Sequence, residues 1–162
     1  MEGNGDIFSK AACFFLDNSL CLYKLFHMAK PRSETFVFGG KVRVDFFLSP
    51  TGQCPAKKFL NGKELSKIHQ ARVLKIIQYF ANHGKTFNTD LLAKLKGKKA
   101  SGFYEFRDVH ISKTRFFFFY INSSHIIITH GCLKKRDDTD QTEIDKMIEI
   151  KKTYENKLLY ED

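Results

Sequence analysis

The hydrophobic positions of the chain change period several times, and the changes mark out its elements. From Lys41 to Leu48, Val42, Val44 and Phe46 alternate with Arg43, Asp45 and Phe47, the period of two expected of a strand. Ser49-Pro50-Thr51-Gly52 reads as a turn. Pro55 then opens a short helix at its first position, running through Ala56, Phe59 and Leu60 until Asn61-Gly62 breaks it. Between Lys63 and His83 the repeat becomes helical. Leu65, Val73, Ile76, Ile77 and Phe80 share one face, with Gly84 where a C-cap belongs. His69 shares that face and reads as a core-edge histidine, with a functional role as the alternative.

A polar link leads to three runs of β-branched and aromatic residues, Phe103 to Val109, Arg115 to Ile121 and His125 to His130. The connections around Ser112-Lys113 and Asn122-Ser123-Ser124 are short, so the three strands should pair antiparallel. Phe116-Phe117-Phe118-Phe119-Tyr120 has no polar face, which predicts a central strand covered on both sides. Base stacking by Phe118 or Tyr120 is the alternative use. A last helix is predicted from about Gln141 to Leu159, with Ile144, Met147, Ile148, Tyr154 and Leu158 as its stripe and Asp140 with Glu143 as a capping box. The predicted class is α+β: an antiparallel sheet core carrying two N-terminal helices and a C-terminal helix, over residues 41–162.

Residues 1–40 have a different pattern. Met1-Glu2-Gly3-Asn4-Gly5 leads into a moderately apolar stretch, Phe8 to Met28, in which Phe14, Leu22 and Phe26 would share a helical face. Pro31 and Gly39-Gly40 then punctuate the chain. The stretch lacks the basic start and small-residue cleavage site of a signal peptide. It is read as an N-terminal extension, partly helical or flexible, with Met28 an alternative translation start.

Composition narrows the class. Apolar residues make up 43% of the 162, including 17 Phe, enough to bury a core. No run approaches the roughly 18–20 uncharged apolar residues of a membrane span, so no membrane role is expected. Cys13, Cys21, Cys54 and Cys132 show neither zinc spacing nor a disulfide framework, which fits reduced thiols in the cytoplasm. No metal site and no cofactor are expected.

Charge adds the functional clue. The net +9 is unevenly placed: residues 41–136 carry +14, residues 137–162 carry −5, and residues 1–40 balance. A central basic block of this size points to a polyanionic partner, nucleic acid among them, with a basic surface kept for solubility as the alternative. The predicted hairpins bring Arg107 and Arg115 together, and antiparallel pairing of the next strand sets His130, Lys134 and Lys135 beside them. Lys96, Lys98 and Lys99 precede the sheet, Lys113 sits in a hairpin, and Arg136 extends the last cation run. Arginine forks can hold two phosphate oxygens, and a lysine among cations is poised for proton transfer. RNA carries its own nucleophile, the 2′-OH, so such a cluster suits cleavage without a metal; phosphate binding without catalysis remains the other reading.

Four motifs carry a family resemblance. Phe103-Tyr104-Glu105-Phe106-Arg107, Arg115 with its apolar strand, His130-Gly131-Cys132-Leu133-Lys134-Lys135, and Phe47 to Leu60 with its Ser-Pro-Thr-Gly turn resemble signatures of RelE/HigB-like toxins, especially their phage-derived branch. The likeness spans about residues 41–156. It implies a RelE-like fold and the toxin of a type II toxin–antitoxin pair, a metal-free endoribonuclease that cuts mRNA, often on the ribosome, and arrests translation. By motif position Arg107, Arg115, Lys134 and Lys135 would be catalytic. Lys96, Lys98, Lys99, Lys113, Arg136 and His130 are assigned to RNA binding, and Glu105 is either a site residue or an arginine's partner. The resemblance also implies a cognate antitoxin, expected to be a helix-turn-helix protein. Unlike some relatives, the chain has no Tyr in Asp137 to Gln141 and no Pro after the double Lys.

Overall fold

The computed structural model describes residues 33–38, 40–84, 90–108, 113–134 and 140–158, all within the unit Pro31–Asp162. Six strands are present: β1 Ser33–Phe38, β2 Arg43–Phe47, β3 Leu92–Lys94, β4 Phe103–Asp108, β5 Thr114–Asn122 and β6 His125–Leu133. Three helices accompany them among the described residues: α1 Pro55–Leu60, α2 Lys67–His83 and α3 Gln141–Leu158. The extension's predicted helix, Met28, Cys13 and Cys21 lie outside the described residues, as do Lys135 and Arg136.

Local chemistry explains the helix ends. Pro55 opens α1, where a missing N–H costs nothing, and Asn61 ends it. The helix predicted from Lys63 instead begins at Lys67. Ser66 is extended, and its hydroxyl accepts from the His69 backbone N–H, so the capping side chain sets the start and leaves Leu65 buried in the turn before it. Gly84 closes α2 in the left-handed region at φ 74°, open to glycine without steric penalty. At α3, Asp140 Oδ1 accepts from Thr142 N at 3.1 Å.

The strands form one sheet in the order β1-β2-β6-β5-β4-β3, and the α+β arrangement is compatible with a RelE-like fold. Every pairing is antiparallel except one: β2 runs parallel to β6, from Arg43 opposite His125 to Phe46 opposite Ile128. The expected all-antiparallel core is therefore a mixed sheet. The chain leaves β2 through two helices and three further strands before β6 returns beside it, and that long connection permits the parallel pairing that a short turn forbids.

Two strands went unread in the sequence. β1 falls in the segment taken as an extension, and Gly40 lies in its link to β2; Phe36 stacks on Phe46 with centroids 4.3 Å apart. β3 is a three-residue edge strand inside the expected polar link. A buried carboxylate ties the β1 side together. Asp45 accepts from Arg43 Nε at 2.9 Å and Ser33 Oγ at 3.0 Å, and His125 Nε2 lies 3.0 Å from it. Burial raises the carboxyl's pKa, but the hydrogen bonds from Arg43, Ser33 and His125 outweigh it and the net direction is down.

The alternation of β5 builds two cores. Phe116 and Phe118 face α1 and α2, with Val44, Phe46, Phe106, Ile126 and Ile128 around them. Phe117 and Phe119 face α3, with Ile144, Met147, Ile150 and Tyr154 beneath them. The prediction of a central strand covered on both sides holds, and the phenylalanine run is core. At the end of β6, Phe59 lies flat against Gly131: a Cβ there would stand 2.2 Å from Phe59 Cδ1 and 3.0 Å from Phe116 Cε1. Gly131→Ala must therefore displace the Phe59 ring, by rotation or by a shift of α1. A loss of about 1–3 kcal/mol, the usual cost of overpacking, is expected in chemical denaturation.

Candidate functional site

Strand register places the cations. Arg107 on β4 stands opposite Arg115 on β5, which stands opposite Cys132 on β6. In the adjacent row Glu105 stands opposite Phe117, and Phe117 opposite His130. Cross-strand partners share a face, so both rows lie on the α3 side of the sheet. Lys134 comes directly after β6, its backbone N–H donating to Lys113 O at 2.8 Å. Lys113 itself is exposed, at φ 49° in the tight link before β5.

Glu105 is the hub. Its Oε1 lies 3.5 Å from Arg107 Nη1 and its Oε2 3.4 Å from Arg115 Nε. Of the two arginines, Arg115 is buried, with 5% of its side chain exposed and Nη1 donating to Thr114 O at 2.9 Å; Arg107 is 23% exposed. Burial raises the Glu105 pKa against the pull of Arg115, Arg107 and Lys134. Burial likewise lowers that of Arg115. The alternative left open for Glu105, site residue or arginine partner, resolves geometrically into a carboxylate bridging both arginines. Cys132 next to them is a protonated thiol at neutral pH, because burial pushes its pKa up to about 12.

His130 is placed differently from the sequence expectation of an RNA contact. Its ring is 1% exposed, packs against Phe117 with centroids 4.9 Å apart, and has Nε2 2.6 Å from Glu143 Oε2. Thr129 Oγ1 lies 3.0 Å from its other nitrogen, Nδ1. Burial lowers the imidazole's pKa, and the His130 hydrogen bond lowers that of Glu143, so the Glu143 carboxylate accepts from His130 Nε2–H. The correction has a simple cause: on a strand covered by α3, a side chain facing the helix meets the helix and not solvent. Glu143 was read as a capping-box member, yet its carboxylate reaches the sheet. The D-x-x-E spacing carried no sign of this second partner.

The structure brings Arg107, Arg115, Glu105 and Lys134 to one end of the sheet, and leaves Lys96, Lys98 and Lys99 apart from it. These three are exposed in the turn between β3 and β4. β3 runs from Leu92 opposite Phe106 to Lys94 opposite Tyr104, so that turn lies at the far end of β4 from Arg107. Among the described residues no three His, Cys, Asp or Glu side chains gather as a metal site requires. No helix among them is long and apolar enough to cross a membrane.

A basic α+β domain built on this mixed sheet is compatible with a RelE-like fold. The chain belongs to the phage-derived Gp49-like family (DUF891), whose pattern matches residues 62–152, more than half of its 162 residues. This is a toxin-like family of the RelE superfamily, related to RelE-type toxins, which are endoribonucleases. The match includes Glu105, Arg107, Arg115, His130, Lys134 and Glu143. No curated protein matches the chain.

Proposed function

We propose that the protein is the toxin of a type II toxin–antitoxin pair and cleaves mRNA by attack of the RNA's own 2′-OH. The observation that carries this reading is the tiering of the two arginines: Arg107 partly exposed above the Glu105–Arg115 pair, with Lys134 beside them. A guanidinium oriented by a carboxylate is a planar, permanently charged donor of the kind that binds phosphate oxygens. Arg107 is assigned the scissile phosphate, and Arg115 acts from beneath as a positioning cation.

In the proposed step the 2′-oxygen bonds to phosphorus and the bond from phosphorus to the 5′-oxygen breaks. Lys134 and Lys135 are assigned the two proton transfers, one accepting the 2′-OH proton and the other supplying a proton to the departing 5′-oxygen. The products are a 2′,3′-cyclic phosphate and a 5′-hydroxyl. Arg107 stabilises the extra negative charge on the phosphorane, where a preorganised donor acts most strongly. Lys113, Arg136 and, more distantly, Lys96, Lys98 and Lys99 are assigned to flanking RNA or ribosomal phosphates. The family implies an antitoxin partner; a helix-turn-helix antitoxin, a ribosomal setting and a cytoplasmic location belong to this reading.

Expression without an antitoxin is expected to arrest growth and to produce discrete mRNA fragments with 5′-hydroxyl ends. RNA that is bound with steep salt dependence but never cut would replace the nuclease by a binding module.

A further inference from the structure

A second feature lies beside the cationic end. A groove of about 770 Å³ opens between α1 with its following turn, the end of β6 and the first turns of α3. Phe59 and Gly131 line its apolar side, and Lys58, Lys63 and Lys146 its basic side; Glu64 is the one acid among its lining residues. All three lysines are exposed. The volume is within the range of pockets that enclose a small ligand, roughly 300–1,000 Å³. A lining that combines an aromatic ring with several cations suits a single strand of nucleic acid, which offers flat bases and phosphates.

The groove opens at the same end of β6 as the site, though Phe59 and Gly131 belong to the α1 face of the sheet and the two arginines to the α3 face, so a strand joining them passes round the sheet's end. Gly131 lies three residues before Lys134 on β6, about 10 Å along an extended chain. Lys146 lines the groove, and its charge is also felt at His130, Glu143 and Cys132, the last of which stands opposite Arg115. Lys146 thus links the groove to the α3 face of the sheet, where Cys132 stands beside Arg115. The sheet edge favours the same path: β2 accompanies β6 only as far as Ile128, so Gly131 lies beyond the shared register.

We infer that this groove binds the RNA strand running away from the scissile phosphate, with Lys58, Lys63 and Lys146 on successive phosphates and the apolar wall against the bases. The inference rests on the nucleolytic reading above. It extends the RNA footprint to α1 and α3, where no motif pointed.

The test uses the full chain and labelled 2′-O-methyl RNA, whose blocked nucleophile prevents cleavage. With a 12-nucleotide probe, the combined variant Lys58→Gln, Lys63→Gln, Lys146→Gln is expected to flatten the slope of log affinity against log salt by about 2, at roughly 0.7 per phosphate contact. Glu64→Lys should steepen the 12-nucleotide slope by about 0.7, a gain that misfolding cannot produce. Wild-type binding with an unchanged slope in both variants would overturn the groove and leave the nuclease reading standing. A combined variant that loses only its affinity for poly-glutamate would also overturn it, in favour of an acidic polypeptide. Wild-type protein that binds no RNA would overturn both readings.

Discussion

Arg107→Ala is expected to lower the rate of RNA cleavage by about 10²–10³-fold, the usual consequence of removing one preorganised donor from a developing anion. The fold should tolerate the change. Arg107 is the partly exposed member of the arginine pair, and Glu105 keeps Arg115 at 3.4 Å and the field of Lys134. Binding of uncleavable RNA should weaken far less than cleavage, because the interaction gained in the transition state exceeds that in the ground state. Arg107→Lys should recover little, since a point charge lacks the planar fork that Glu105 orients. The measurement is single-turnover cleavage of a short RNA alongside a thermal melt. Unchanged cleavage by a folded Arg107→Ala protein would remove this residue from the chemistry.

Arg115→Ala is expected to act first on stability. It removes the buried partner of a buried carboxylate, and breaking such a pair typically costs about 3–5 kcal/mol. The cost should depend on pH with a definite sign. The Glu105 pKa is already raised in the folded protein, and losing Arg115 raises it further. A carboxyl whose folded pKa exceeds its unfolded value destabilises the fold only when ionised. The penalty is therefore absent below the ordinary glutamate range, grows as pH rises from that range through the folded pKa, and is complete above it. Urea denaturation from about pH 4 to about pH 8 should show the variant approaching wild type at the acid end. Pairing it with Glu105→Gln should restore much of the loss at neutral pH, because no buried charge is left without its partner. A loss that is independent of pH, or that deepens in acid, would reject Glu105 as the cause.

These expectations draw on different depths of the sequence. The motif Phe103-Tyr104-Glu105-Phe106-Arg107 placed Glu105 and Arg107 on one face, because strand geometry fixes alternation, and a short link set Arg115 opposite Arg107. The same local logic read β5 as central and α2 as amphipathic. It failed at β1 and β3, which form strands because β2 and β4 each offer them an edge to pair with. It gave no sign that α3 covers His130. A histidine in a run of cations looks like a phosphate ligand until the helix covering it is known.

The order of residues alone dictates the local periodicities, the caps at Pro55 and Gly84, the basic block, and the succession of strands that gathers Arg107, Arg115 and Lys134. Each arises from steric and charge rules acting over a few residues. Packing across the sheet settled the rest: β2 lies parallel to β6, Arg115 is buried while Arg107 reaches solvent, Glu143 leaves its cap for His130, and α1 and α3 enclose a basic groove over Gly131. Those outcomes turn on which charges lose water and which elements meet, and desolvation is a property of the assembled fold that no short stretch of chain encodes.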